Sequence, residues 1–260
     1  MEHTRVAVVG AGFGGIGMAL ALRRAGIDDV VVLERADGIG GVWRDNTYPG
    51  AACDVPSPLY SYSFAPNRTW PRRYAEQPDI LAYLRRVAEP VRDRVRLNAP
   101  VTRAEFTGGR WHIDAGGTRL VADALVSAVG QLSEPVVPDL PGADRFAGPA
   151  FHSARWRHDV DLRGKRVAVV GTGASAAQFV PRVQPVAGAL AVFQRTAPHV
   201  LPKPDGELRR AGARRVERLA TCLVGELLSA ALDSRHVGAV EALASSTCAP
   251  GSATRACAPS

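Results

Sequence analysis

Aromatic residues stop at Phe193: positions 194–260 hold no Phe, Tyr or Trp, in a chain that is 6% aromatic. The chain therefore changes character near residue 200. Paired cysteines are also lacking. The four cysteines, Cys53, Cys222, Cys248 and Cys257, form no CxxC and no zinc spacing, which argues against a dithiol redox centre and a metal site. Sparse, unpatterned cysteine suits a reducing compartment, so a cytoplasmic location is expected. No unbroken apolar run is long enough to span a bilayer. The stretch from Val6 to Leu22 is interrupted by five glycines before Met18, and no signal peptide is expected ahead of it. An acidic excess is missing too, since the formal charge is +7. The densest basic patch, Arg209, Arg210, Arg214, Arg215 and Arg218, is interleaved with Glu207 and Glu217. Without aromatic platforms it reads as a solvated helix face, not a nucleic-acid interface. The charge surplus favours anionic ligands. With 260 residues, 46% of them hydrophobic, the chain suits one large or two small domains.

Glycine is plentiful, and it is placed with purpose. Arg5 to Val9 reads as a buried strand, followed at once by Gly10-Ala11-Gly12-Phe13-Gly14-Gly15. Ile16 to Ala25 reads as a helix stopped by Gly26, and Val30 to Leu33 as a second strand ending on Glu34. Gly10 permits the tight turn, Gly12 lets backbone approach a pyrophosphate, and Gly15 lets the helix pack on the strand. The helix N-terminus offers free N–H groups and a positive dipole end to phosphates. Glu34 lies 19 residues after Gly15, where a carboxylate accepts from ribose hydroxyls.

A long loop covers Gly40 to Asp54. Tyr60, Tyr62 and Phe64 alternate after it, as a short strand or an aromatic wall, and core packing is the role expected of most of them. Gln77 to Val91 reads as a helix with Ile80, Leu81, Leu84 and Val87 on one face. Strands are expected over Val95–Phe106, Arg110–Asp114 and Arg119–Val129, joined by Gly108-Gly109 and Gly116-Gly117 turns into an antiparallel meander. Pro135 to Pro149 reads as an extended linker.

A second strand–turn–helix–strand unit follows. Val167 to Val170 leads into Gly171-Thr172-Gly173-Ala174-Ser175-Ala176, an accepted variant of the glycine fingerprint, and the unit closes on Leu190 to Phe193. Glu34 lies 24 residues after Gly10, and Arg195 lies 24 residues after Gly171. An acid suits a free ribose 2′-hydroxyl and repels a 2′-phosphate, whereas Arg binds that phosphate through a charged fork. The first unit is thus expected to take FAD or NAD, and the second NADP. The fold class is α/β, with two Rossmann-like dinucleotide-binding units and a small antiparallel meander.

Several further motifs resemble the class B flavoprotein monooxygenases, and within them the Baeyer–Villiger type. They are Phe146-x-Gly148-x-x-x-His152-x-x-x-Trp156, followed by Arg157 where the family has Pro or Asp, and Gly41-x-Trp43-x-x-x-x-Tyr48-Pro49-Gly50-x-x-x-Asp54. Arg73-Tyr74-Ala75-x-Gln77-Pro78, Gly130-Gln131-Leu132-Ser133 and Phe193-Gln194-Arg195-Thr196 are similar too. The resemblance implies that Gly10, Gly12, Gly14, Gly15 and Glu34 hold FAD. It puts Val42, Trp43, Arg44, Asp54, Tyr60 and Gln131 around that cofactor and Val101 near its adenine. Thr172, Gly173, Ser175, Arg195 and Thr196, with Gly171, would hold NADPH. Asp54 matches the acid that supports a peroxide-stabilising arginine. His152 reads as a structural residue of the linker and Cys53 as a packed loop residue. The implied reaction is FAD- and NADPH-dependent oxygenation of a small-molecule ketone by O2, through a peroxyflavin, to an ester or lactone. Two other readings stay open: an N- or S-oxygenating flavin monooxygenase, and a non-catalytic nucleotide-binding remnant.

The domain division expected is 1–135 for FAD, 136–160 as linker, 161–205 for NADP, 206–243 as a helical segment and 244–260 as a disordered tail. The family's downstream Lys-Arg motif and the return of its chain to the FAD domain have no counterpart here. An N-terminal portion of such an enzyme is therefore expected.

Overall fold

The computed structural model describes residues 2–197, 203 and 205–207. The expected helix within 206–243 and the tail 244–260 lie outside the described residues, apart from Gly206 and Glu207.

Strand β1 (Glu2–Val9) sits near the middle of a six-stranded sheet. Its Val and Ala side chains alternate between two faces, and both faces are buried, as the near-continuous apolar run requires. Helix α1 (Phe13–Arg24) crosses to the parallel strand β2 (Val30–Leu33), with Val6 opposite Val30 and Val8 opposite Val32. On one face Val6, Val8, Val30 and Val32 pack against Ile16, Ala19 and Leu20 of α1 and against Leu84 and Ala88. The latter two belong to α3 (Gln77–Ala88), which follows the one-turn helix α2 (Val42–Asp45). Truncating a fully buried side chain such as Leu84 to Ala costs about 2–5 kcal/mol.

Helix α1 ends where Gly26 forces it to. The Ile27 N–H reaches back to the Leu22 carbonyl at 2.9 Å, the six-to-one bond of a Schellman cap. Arg23 and Arg24 occupy the last turn, where the negative dipole end favours cations.

The strand expected over Val95–Phe106 is in fact two. Val95–Arg96 (β3) pairs in parallel with β2, and Val101–Thr107 (β4) joins the meander. Asn98 between them has φ +54°, and Pro100 lacks an N–H for a ladder. Strands β5 (Arg110–Ala115) and β6 (Thr118–Ser127) complete the meander, and β6 runs parallel beside β1. The order is β3-β2-β1-β6-β5-β4.

The alternating Tyr60, Tyr62 and Phe64 form no strand; one isolated bridge joins Tyr62 to Ala65. Tyr60 and Tyr62 pack against the core, the role expected of most of these rings. Phe13 meets Tyr60 at 5.0 Å and Tyr62 at 5.3 Å between centroids.

The second unit is a separate two-stranded parallel sheet, β7 (Arg166–Val170) and β8 (Ala189–Phe193), crossed by α4 (Ala174–Val183). Its small core includes Val169, Ala176, Phe179 and Val183, and it is shared with Tyr48 and Ala51 of the long loop. Among the described residues no helix is long and apolar enough to cross a membrane.

Candidate functional site

The carboxyl end of β1 is where the chemistry-bearing residues gather. Gly10 has φ +104°, a conformation that suits glycine, and an added Cβ there would lie 2.5 Å from the Ala128 carbonyl oxygen. A Cβ on Gly15 would lie 1.7 Å from the Gly10 carbonyl oxygen. Helix and turn can approach this closely only because both positions lack side chains. Gly12 is the N-cap of α1 and offers no side-chain oxygen. The first-turn N–H groups of α1 therefore have no side-chain cap, and they face the site as donors. Those donors fit a pyrophosphate.

Glu34 is buried at the end of β2. One carboxylate oxygen accepts from the Ala11 N–H at 2.7 Å, and the other from the Ala36 N–H at 2.9 Å. The acid thus props the glycine turn. Each oxygen keeps a second lone pair for a hydroxyl.

The loop from Gly40 to Asp54 closes against the same turn. The Gly40 N–H donates to the Ala11 carbonyl at 3.1 Å, and a Cβ on Gly41 would stand 3.0 Å from the Gly12 Cα. Val42, Trp43 and Arg44 make the one-turn α2 inside this loop. The Trp43 indole N–H donates to the Tyr60 hydroxyl at 2.9 Å, and the two rings meet edge-on. Burial raises the Tyr60 phenol above its ordinary value, and the Trp43 hydrogen bond opposes the shift. Arg44 is held by Asp45 at 2.6 Å and by Asp37. Val101 begins β4 and packs against Ala7 and Leu33, just past the Ala99 N–H that binds the Glu34 carbonyl. Gln131 and Asp54 are exposed.

The second unit repeats the arrangement without the enclosure. Gly171 has φ +105°, and its N–H binds the Phe193 carbonyl at 2.8 Å. Gly173 caps α4, again without a side-chain bond. Among the described residues nothing stands within 4 Å of the Cβ positions of Gly171 and Gly173. Thr172 and Ser175 flank this turn, and Arg195 and Thr196 lie exposed beyond β8.

The linker motif is a joint. Trp156 packs on Phe151 and Phe179, each at 5.3 Å, and Gly148 lies under the Phe146 ring. The His152 imidazole Nδ1 accepts from the Ala154 N–H at 3.1 Å and caps a short turn. Arg157 pairs with Asp159.

Residues 7–182 match a family described as pyridine nucleotide-disulphide oxidoreductase. The chain belongs to that family. Among curated relatives, it is 55% identical over 218 residues to a Baeyer–Villiger monooxygenase of Streptomyces coelicolor, an overlap that is 82% of this chain and 42% of the relative. Among solved structures, it resembles an oxidized steroid monooxygenase bound to NADP, with 43% identity and a TM-score of 0.74, over 84% of this chain and 43% of the other. A complex of OTEMO with FAD and NADP gives 34% identity and the same TM-score of 0.74, over 80% of this chain and 42% of that one. The chain therefore spans less than half the length of the relatives it matches.

The family name includes a disulphide chemistry that the described residues do not carry. Their single cysteine, Cys53, is free and buried, and burial pushes its thiol up to about 11. Sequence reasoning did not single out Gln178 or Lys203. The Gln178 side chain binds Tyr48 and Ala52, and the Lys203 ammonium donates to the Cys53 carbonyl at 3.4 Å and sits 4.6 Å over the Tyr74 ring. No local pattern marks either, because their partners are more than 120 residues away.

Proposed function

We propose that this chain is the nucleotide-binding part of a Baeyer–Villiger-type monooxygenase, taking FAD at the first unit and NADPH at the second. The substrate class in this reading is a small ketone, converted with O2 to an ester or lactone. One observation carries the reading. Two helices with glycine at the N-cap offer first-turn N–H groups that no side chain caps, and the strand that follows each helix leads to opposite charge, Glu34 in one unit and Arg195 in the other. The acid accepts from a ribose diol and repels a 2′-phosphate; the arginine attracts that phosphate.

When bound, the two nucleotides would supply hydride transfer and oxygen activation, chemistry that belongs to the cofactors. The chain's own residues bind, orient and exclude water. The α1 donors and Glu34 hold the first nucleotide, with Gly10, Gly12, Gly14 and Gly15 permitting its approach. Gly171, Thr172, Gly173, Ser175, Arg195 and Thr196 hold the second. Val42, Trp43 and Tyr60 form a wall beside the first site, Arg44 braces it, Val101 flanks the adenine end, and Gln131 closes the β6 side. Asp54 is assigned the acid that supports a cation at the reacting centre. The working division is 1–135 for FAD, 136–160 for the joint and 161–205 for NADP.

Product analysis tests the reading. Flavin-loaded protein, completed by a downstream segment that supplies the peroxide-stabilising arginine and the rest of the FAD domain, is expected to form the lactone from a cyclic ketone, NADPH and O2. Oxygenation of an amine to its N-oxide, with the ketone untouched, would overturn the reaction type.

A further inference from the structure

We propose that Gln178 is a positioning residue that makes the two nucleotide sites bind cooperatively. This rests on the reading of the two units as FAD and NADPH sites.

The geometry is a three-bond clasp between α4 and the long loop. Gln178 lies on α4, and its side-chain oxygen accepts from the Tyr48 hydroxyl at 3.1 Å and from the Ala52 N–H at 3.2 Å. Its side-chain NH2 donates to the Ala52 carbonyl at 2.9 Å. The amide thus satisfies both backbone groups of Ala52, as a neighbouring strand would. Gly50 makes room for the approach: a Cβ there would lie 3.0 Å from the Gln178 carbonyl oxygen. Tyr48 and Phe179 stack edge-on at 6.0 Å behind the clasp.

The position of this clasp gives it consequence. Gln178 is five residues from Gly173, the N-cap of α4, so about 7.5 Å along the axis from the donors facing the second site. The loop it grips touches the first site at its other end, through Gly40 to Ala11 and Gly41 to Gly12. Asp54 follows Ala52 by two residues. One segment of chain therefore contacts the glycine turn of the first unit and the helix of the second. A ligand that orders this segment from either side lowers the cost of ordering for the other. The coupling must be reciprocal.

The test measures FAD affinity by flavin fluorescence, with and without saturating NADP+, and NADP+ affinity with and without FAD. The native protein is expected to show tighter binding of each in the presence of the other, by the same factor, on the order of tenfold. Gln178→Met keeps the length and loses the clasp; the factor is expected to fall to within about twofold of unity, with each separate affinity little changed. Tyr48→Phe removes one of the three bonds and is expected to give an intermediate factor, which keeps the test sound if Gln178→Met does not fold. Independent binding in the native protein, or an unchanged factor in both variants, overturns this inference alone. A folded chain that takes neither nucleotide overturns the assignment of the two sites and this inference with it.

Discussion

The two glycine units share a pattern and differ in what surrounds it. In the first, β1 is hydrogen-bonded on both edges, to β2 and β6, and covered on both faces. In the second, β7 pairs with β8 alone among the described residues, and Val170 and Phe193 are 58% and 56% exposed. The contrast reaches the turns. Added side-chain atoms at Gly10 or Gly15 would strike backbone, whereas those at Gly171 or Gly173 would meet none of the described residues within 4 Å. A fingerprint specifies how a backbone can meet a phosphate; the neighbouring strands decide how firmly that backbone is held. The first unit is accordingly read as a rigid cradle and the second as an open one, joined to it through Trp156, Phe179 and the Gln178 clasp.

Substitution of matched glycines should break this contrast most severely. Gly15→Ala puts a methyl group 1.7 Å from the Gly10 carbonyl oxygen, so α1 must move off β1. A loss of about 3 kcal/mol or more is expected in urea unfolding. Gly173→Ala meets none of the described residues within 4 Å and should cost about 1 kcal/mol or less. Equal losses at the two sites would refute the difference in packing.

The acid and the base come next. Glu34→Gln replaces a carboxylate that accepts from two backbone N–H groups with an amide that accepts at one oxygen only. The unsatisfied group is expected to cost about 1–3 kcal/mol, with loss of flavin retention. Arg195→Ala alters an exposed position, so unfolding should shift by less than about 0.5 kcal/mol. Its effect belongs to binding: NADPH affinity should weaken on the order of tenfold or more, with NADH affinity unchanged. A parallel loss for NADH would remove the 2′-phosphate from the account.

The mildest contrast is alkaline. Burial lifts the Cys53 thiol from 9.0 to about 11. Between those values the unfolded chain releases a proton that the folded chain retains, so stability is intact below about pH 9 and falls as pH rises towards 11. Cys53→Ala should flatten this limb of the stability curve. An identical limb in the variant would assign it to other groups.

Both units were legible in the sequence because their signals are local: Val-rich strands, a glycine turn, a helix and a charged residue follow one another within about thirty positions. The meander was legible through its Gly-Gly turns. The break between β3 and β4 was not, since Asn98 and Pro100 interrupt a run whose composition still favours strand. Tyr60, Tyr62 and Phe64 alternate like a strand, yet Tyr60 and Tyr62 pack on Phe13 and Phe64 stacks on Tyr62 instead of joining a sheet. Glu34 was placed correctly at the end of β2, but its grip on the Ala11 N–H depends on how the turn folds back. Gln178 was invisible for a stronger reason: it lies 126 residues from Ala52 along the chain.

The central claim is that the first unit builds a flavin cradle. The visible absorption spectrum of the purified, folded protein, with flavin content per chain, tests it most directly. An oxidised-flavin spectrum with one FAD per chain, retained through gel filtration or restored by added FAD, is expected. A folded, colourless protein that takes up no added FAD would contradict it.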